Sequence, residues 1–301
     1  MGIRSPIPYQ WKALGPKVRR FGMNLAYGGA GVFDTFYSVP NVTTQIDSFQ
    51  QLLRQGLYTK QDLQCSLAFV SIVGNDYTIY QARNGSIQGL PNFVGSVVTK
   101  LASDLKRLSD LGLKRIAVNG LQPLGCLPLI TQLSGYRKCN ETWNQLAILH
   151  NSLLQNAVAQ FSANGNGSRI VIFDLFAAFN SILQNPGIWK FEDPLTPCCK
   201  GITSADSCGS VDGNGTKLYT VCQKPDAALY ASKNIWNKQF VKFLEESKRS
   251  VAVDQSMEPA PMNRALTAVN GNVSQVFDAV FKERKGGSDL KERKGSCQLQ
   301  V

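Results

Sequence analysis

The chain has 301 residues, 43% of them hydrophobic, which suits one large α/β domain with extras or two small domains. Its formal charge of +11 at pH 7 is spread over the body rather than gathered in a basic stripe interleaved with aromatics. That argues against a nucleic-acid partner and suits acidic cell-wall polymers or anionic lipid surfaces. No run is apolar enough to form a transmembrane segment, and no signal peptide is visible at Met1.

In chain order, the pattern predicts a strand over 23–27 and a helix over 44–54 with Ile46, Phe49 and Leu53 on one side, ended by Gly56. A nearly continuous apolar run predicts a strand over 66–73. Asn92 then caps a helix whose stripe is Phe93, Val97, Leu101, Leu105 and Leu108, ended by Gly112. A strand follows over 115–118, then an amphipathic helix over 142–161 with Trp143, Leu146, Leu153, Leu154 and Ala157 near one face, then a strand over 169–174. This alternation predicts a doubly wound parallel α/β sheet. Beyond residue 233, Trp236, Phe240, Phe243 and Leu244 predict one more helix. The duplicated Lys282-Glu-Arg-Lys-Gly286 and Lys291-Glu-Arg-Lys-Gly295 mark a solvated, basic tail.

Two segments carry chemistry: Asn24-Leu-Ala-Tyr-Gly-Gly-Ala-Gly31 and Val73-Gly-Asn-Asp76. Taken singly, each is a glycine turn after a strand. Taken together they offer what an oxyanion hole requires, a backbone N–H at a tight turn and a side-chain amide. Their order and spacing, with Gly125-Cys-Leu-Pro128, Cys139-Asn140, His150-Asn151, Pro197-Cys-Cys199 and Cys208-Gly209, resemble the plant GDSL esterase/lipases of the SGNH hydrolase superfamily over roughly residues 2–230.

The resemblance implies a three-layer, flavodoxin-like α/β fold. It implies serine ester hydrolysis with no metal or organic cofactor, on small-molecule or lipid esters. Gly28 and Asn75 are the implied oxyanion donors. Two further blocks of the family pattern are absent. No Gly-Asp-Ser occurs, and in register with the family's Asp-x-x-His stand Ser232 and Ile235. The chain therefore reads as truncated at both ends relative to the pattern, an incomplete hydrolase domain over 1–232 followed by a divergent segment over 233–301. In the superfamily the serine strand lies between the strand before Gly28 and the strand before Asn75. Its absence implies a gap there, or those two strands pushed together. His150, the single histidine, falls on the apolar face of its helix and matches a non-catalytic His-Asn pair.

Eight cysteines sit at 65, 126, 139, 198, 199, 208, 222 and 297. Cys126 with Cys139 reads as one loop staple, and Cys198 or Cys199 with Cys208 or Cys222 as others; Cys297 is expected to have no partner. No paired Cys-x-x-Cys set points to zinc. Six glycosylation sequons begin at Asn41, Asn84, Asn140, Asn166, Asn214 and Asn272. Thiol staples and sequons together imply a secretory ancestry. The rival to an ester hydrolase is a non-catalytic remnant or binding protein of the apoplast. Catalysis by a different serine is the third reading, and it lacks a base. Oligomeric state is not legible.

Overall fold

The computed structural model describes residues 6–15, 21–72, 74–163, 167–203, 205–232, 235–236 and 298–300. They group into two units, one made of residues up to 121, 149–173 and 298–300, the other of 122–148 and 174–236.

The first unit is built on β1 (Ile7–Pro8), β2 (Met23–Asn24), α1 (Val42–Arg54), α2 (Lys60–Cys65), β3 (Leu67–Val70), α3 (Asn75–Ala82), α4 (Leu90–Asp110) and β4 (Arg115–Asn119). A long helix, α5 (Glu141–Ala163), leads back to β5 (Arg169–Phe173). Every pairing in the sheet is parallel, so the α/β expectation holds. Ile116, Ala117 and Val118 of β4 are buried in succession, as a strand covered on both faces should be, and in β3 Ala68 and Val70 are buried while Leu67 and Phe69 on the other face are half-buried.

Asn41 caps α1 through its Oδ1, which accepts from Thr44 N at 2.9 Å. Val42, Ile46, Phe49 and Leu52 turn inward. Leu52 is buried as well, at the edge of that face about 60° beyond Phe49, while the expected Leu53, which the 3.6 period places between Ile46 and Phe49, is only half-buried in the helix's last turn. α4 starts at Leu90 with Gly89 at its cap, ahead of the expected Asn92. Its inward stripe is Val94, Val97, Leu101, Leu105 and Leu108. Polar pairs join α1 and α4: Arg107 reaches Asp47 at 2.5 Å and Gln50 at 2.7 Å, and the buried Asp104 accepts from Thr43 and Lys100.

Two strands are shorter than the sequence suggests. β2 stops at Asn24 and β3 at Val70, because the residues beyond them leave the ladder to form the loops of the candidate site.

The sheet order is β1-β2-β10-β3-β4-β5, where β10 is Gln298–Gln300. The expected gap or collapse between β2 and β3 does not occur. Leu299 stands opposite Met23 on one side and Ala68 on the other. Two facing strand edges carry rows of N–H and C=O groups that need partners, and a third extended segment supplies them. A composition-based reading as a solvated tail therefore misses these three residues. Cys297 and the repeats at 282–295 lie outside the described residues.

In the second unit, α6 (Leu175–Gln184) is capped by Asp174, whose carboxylate accepts from Ala177 N at 2.9 Å. Two antiparallel pairs follow: β6 (Cys199–Gly201) with β7 (Tyr219–Val221), and β8 (Tyr230–Ser232) with β9 (Ile235–Trp236). Trp236 is thus in a strand, not at the start of the expected helix; residues 237–297 lie outside the described ones. The staples form as Cys126–Cys139, Cys198–Cys222 and Cys199–Cys208. Among the described residues no helix is long and apolar enough to cross a membrane.

Candidate active site

The sequence brings two loops to the C-terminal ends of neighbouring parts of the sheet, where parallel α/β sheets place their ligands. The first loop leaves β2. Asn24 Oδ1 accepts from Ala26 N at 2.9 Å, and Ala30 N closes a turn onto Tyr27 O at 3.2 Å. Gly29 sits inside that turn at φ +85°, where a Cβ would also fall 2.6 Å from the Tyr37 ring. Gly28, beside it, is exposed, and a Cβ there would meet nothing within 4 Å. The Cβ side of the residue expected to donate its N–H is thus open to solvent.

The second loop leaves β3. The buried Asn119 at the end of β4 holds it, with Nδ2 donating to Ile72 O at 3.0 Å and Oδ1 accepting from Ile72 N at 3.2 Å. Gly74, at φ +97°, then turns the chain into α3. Asn75 is the first residue of that helix, and its Nδ2 donates to Ala30 O at 2.7 Å. Asp76 follows, buried, with its carboxylate accepting from Val32 N at 3.0 Å and Phe33 N at 2.9 Å. Burial raises the Asp76 pKa above the usual carboxylate range, and the two backbone N–H groups partly offset it.

The loops are therefore tied at two places. Asn75 touches the loop two residues past Gly28, and Asp76 grips it just beyond. One Asn75 N–H is engaged by Ala30, and a primary amide has a second to give. A pocket of about 480 Å³ lies against the same helix, walled by Phe33, Asp76, Ile79, Tyr80 and Phe93, with Asp34 and Arg83 among its polar residues.

His150 is fully buried on α5, as its apolar face predicts. Its Nδ1 lies 2.6 Å from Tyr77 Oη, and the rings meet edge to face. Burial pulls its pKa down to about 4, and its Nε2 has no hydrogen-bond partner among the described residues. A buried imidazole facing a tyrosine is a packing element rather than a base for a serine. The next residue, Asn151, clamps the loop after β4, accepting from Leu121 N at 2.7 Å and donating to Leu121 O at 2.9 Å. Ser232 and Ile235 stand opposite each other across the β8–β9 pair.

Asn151 and Asp76 stand in the sequence motifs, and Asn119 stands in none. A buried polar side chain beside a strand end was the available signal, and burial is not written in a single sequence.

Residues 2–226 match the model of the GDSL-like Lipase/Acylhydrolase family. Among curated proteins the chain is similar to GDSL esterase/lipase At5g03610 of Arabidopsis thaliana, 46% identical over 236 residues, covering 76% of this chain and 66% of that one. It is also similar to GDSL esterase/lipase At3g09930, 43% identical over 76% of this chain and 67% of that one, and to GDSL esterase/lipase At2g36325, 37% identical over 82% and 72%, both of the same organism. The chain thus spans about two thirds of the length of the first two relatives. By the family model over most of the chain and by these relatives, the chain belongs to the plant GDSL esterase/lipase family.

Proposed function

We propose that this chain carries the oxyanion-binding part of a serine ester hydrolase site, with Gly28 N–H and the second Asn75 amide N–H as donors. The observation that carries this reading is the Asn75 Nδ2 bond to Ala30 O, which fixes the amide against the glycine turn. In that arrangement the negative oxygen of a tetrahedral intermediate would accept from both groups. Held donors need no reorganisation as charge develops, which is why such pairs lower the barrier to acyl transfer. The substrate class by lineage is an acyl ester, small-molecule or lipid, reached outside the cell; the three disulfides support a secretory route.

The polypeptide of these 301 residues has no Gly-Asp-Ser, and Ser232 and Ile235 stand in register with the family's Asp-x-x-His. His150 is buried against Tyr77. On this reading the chain stabilises charge that nothing in it generates, and it does not turn esters over. The alternative, a non-catalytic binding protein of the apoplast, draws on the same absences. A chimera separates the two. Supply a strand ending in Gly-Asp-Ser, make Ser232→Asp and Ile235→His, and assay ester hydrolysis. Asn75→Ala in an active chimera should lower turnover about a hundred- to thousandfold, the usual loss for one oxyanion donor. An unchanged rate removes Asn75 from the site.

A further inference from the structure

In the six-stranded sheet, β1 and β2, β3 and β4, and β4 and β5 are neighbours both in space and in strand sequence. β2 and β3 alone are consecutive strands held apart, and the segment between them comes from residues 298–300. The opening has a frame of its own. At the C-terminal ends of β2 and β3, Asn75 binds Ala30 and Asp76 binds Val32 and Phe33, so both rims are tied without any help from β10. The inserted strand is short, in register with two residues of β2 and three of β3. It connects to Trp236 only through residues 237–297, which fully extended would reach roughly 200 Å.

We propose that this opening is a strand-acceptor site that exchanges between molecules. The 298–300 strand of a second copy of this chain enters it in the register that the chain's own strand uses, giving a strand-swapped dimer. The contacts made are identical in the closed monomer and the swapped dimer, so the balance depends on protein concentration and on the connecting segment. A short ladder releases by local opening, while the tied rims keep the acceptor in shape. The inference does not rest on catalytic activity.

The test uses the full chain, refolded at low and at high protein concentration, with mass read by light scattering after gel filtration. A synthetic peptide of residues 294–301, with Cys297→Ser to prevent disulfide exchange, is the competitor. The expected result is a dimer fraction that grows with concentration during refolding. Excess peptide should lower it about tenfold or more by occupying the acceptor. Leu299→Pro, which removes an N–H from the inserted strand, should abolish it. If that variant fails to fold, the peptide arm on the unaltered chain decides. A chain that stays monomeric at every concentration, or a dimer indifferent to the peptide, overturns the proposal.

Discussion

Gly31→Ala tests the tie between the two loops. A Cβ built on Gly31 would lie 2.7 Å from Asp76 Oδ1, 2.9 Å from its Cγ and 2.9 Å from Oδ2. Ordinary contact needs about 3.4 Å or more, so the carboxylate must retreat by about half an ångström or more. It is anchored on the other side by Val32 N at 3.0 Å and Phe33 N at 2.9 Å, so retreat stretches both bonds. Overpacking a tight site costs about 1–3 kcal/mol, and a hydrogen bond to a charged group is worth about 1.5–3 kcal/mol. Losing one bond and straining the other gives a net cost of about 3 kcal/mol, reduced by up to about 1 kcal/mol through the unfolded chain's lost glycine entropy. The assay is urea unfolding followed by circular dichroism, with an unchanged slope and a lower midpoint. The same substitution in an Asp76→Ala background should cost at least about 2 kcal/mol less, because the obstructing carboxylate is gone. A Gly31→Ala chain within about 0.5 kcal/mol of the parent, or an equal cost in both backgrounds, would refute the reasoning.

Three other outcomes follow from particular contacts. His150 is neutral in the folded chain down to a pKa of about 4, whereas in the unfolded chain it protonates near 6.5, so its contribution is intact above pH 6.5 and is lost as pH falls toward 4, by about 3 kcal/mol. The raised Asp76 carboxyl has the opposite sign, since the folded chain takes up that proton first as pH falls; comparing His150→Leu with the parent by pH-dependent urea unfolding isolates the histidine, and identical pH slopes would contradict its assignment. Asn151→Ala leaves both backbone groups of Leu121 without their partner and should cost about 2–3 kcal/mol in the same unfolding assay. Replacing Cys198 and Cys222 by Ser opens a 24-residue separation and should lower stability by about 2–4 kcal/mol, read as a drop in Tm.

The sequence made the central strands legible because β3, β4 and β5 are short, largely apolar runs rich in β-branched and aromatic residues that alternate with helical stretches. It located the staples because cysteines in a sequon-rich chain have few alternatives, although the choice between Cys208 and Cys222 for each member of Cys198-Cys199 needed coordinates. The glycine turn and Asn75 were visible as a motif. Their mutual tie was not, since it depends on a carboxylate 43 and 44 residues away from the backbone groups it binds. β10 was invisible for a related reason. Gln-Leu-Gln has no strand signature of its own, and its place is dictated by two edges that lie far away in sequence. The short pairs β6–β7 and β8–β9 were missed because cross-links and loop contacts hold them, not a hydrophobic period.

The claim that this chain holds oxyanion donors without a nucleophile is tested most directly by incubating the purified chain with a fluorophosphonate probe while following hydrolysis of short-chain p-nitrophenyl esters. The account predicts no stoichiometric labelling and no turnover above a heat-denatured control. Labelling of a single serine, Ser232 above all, with turnover lost when that serine is replaced by alanine, would contradict it.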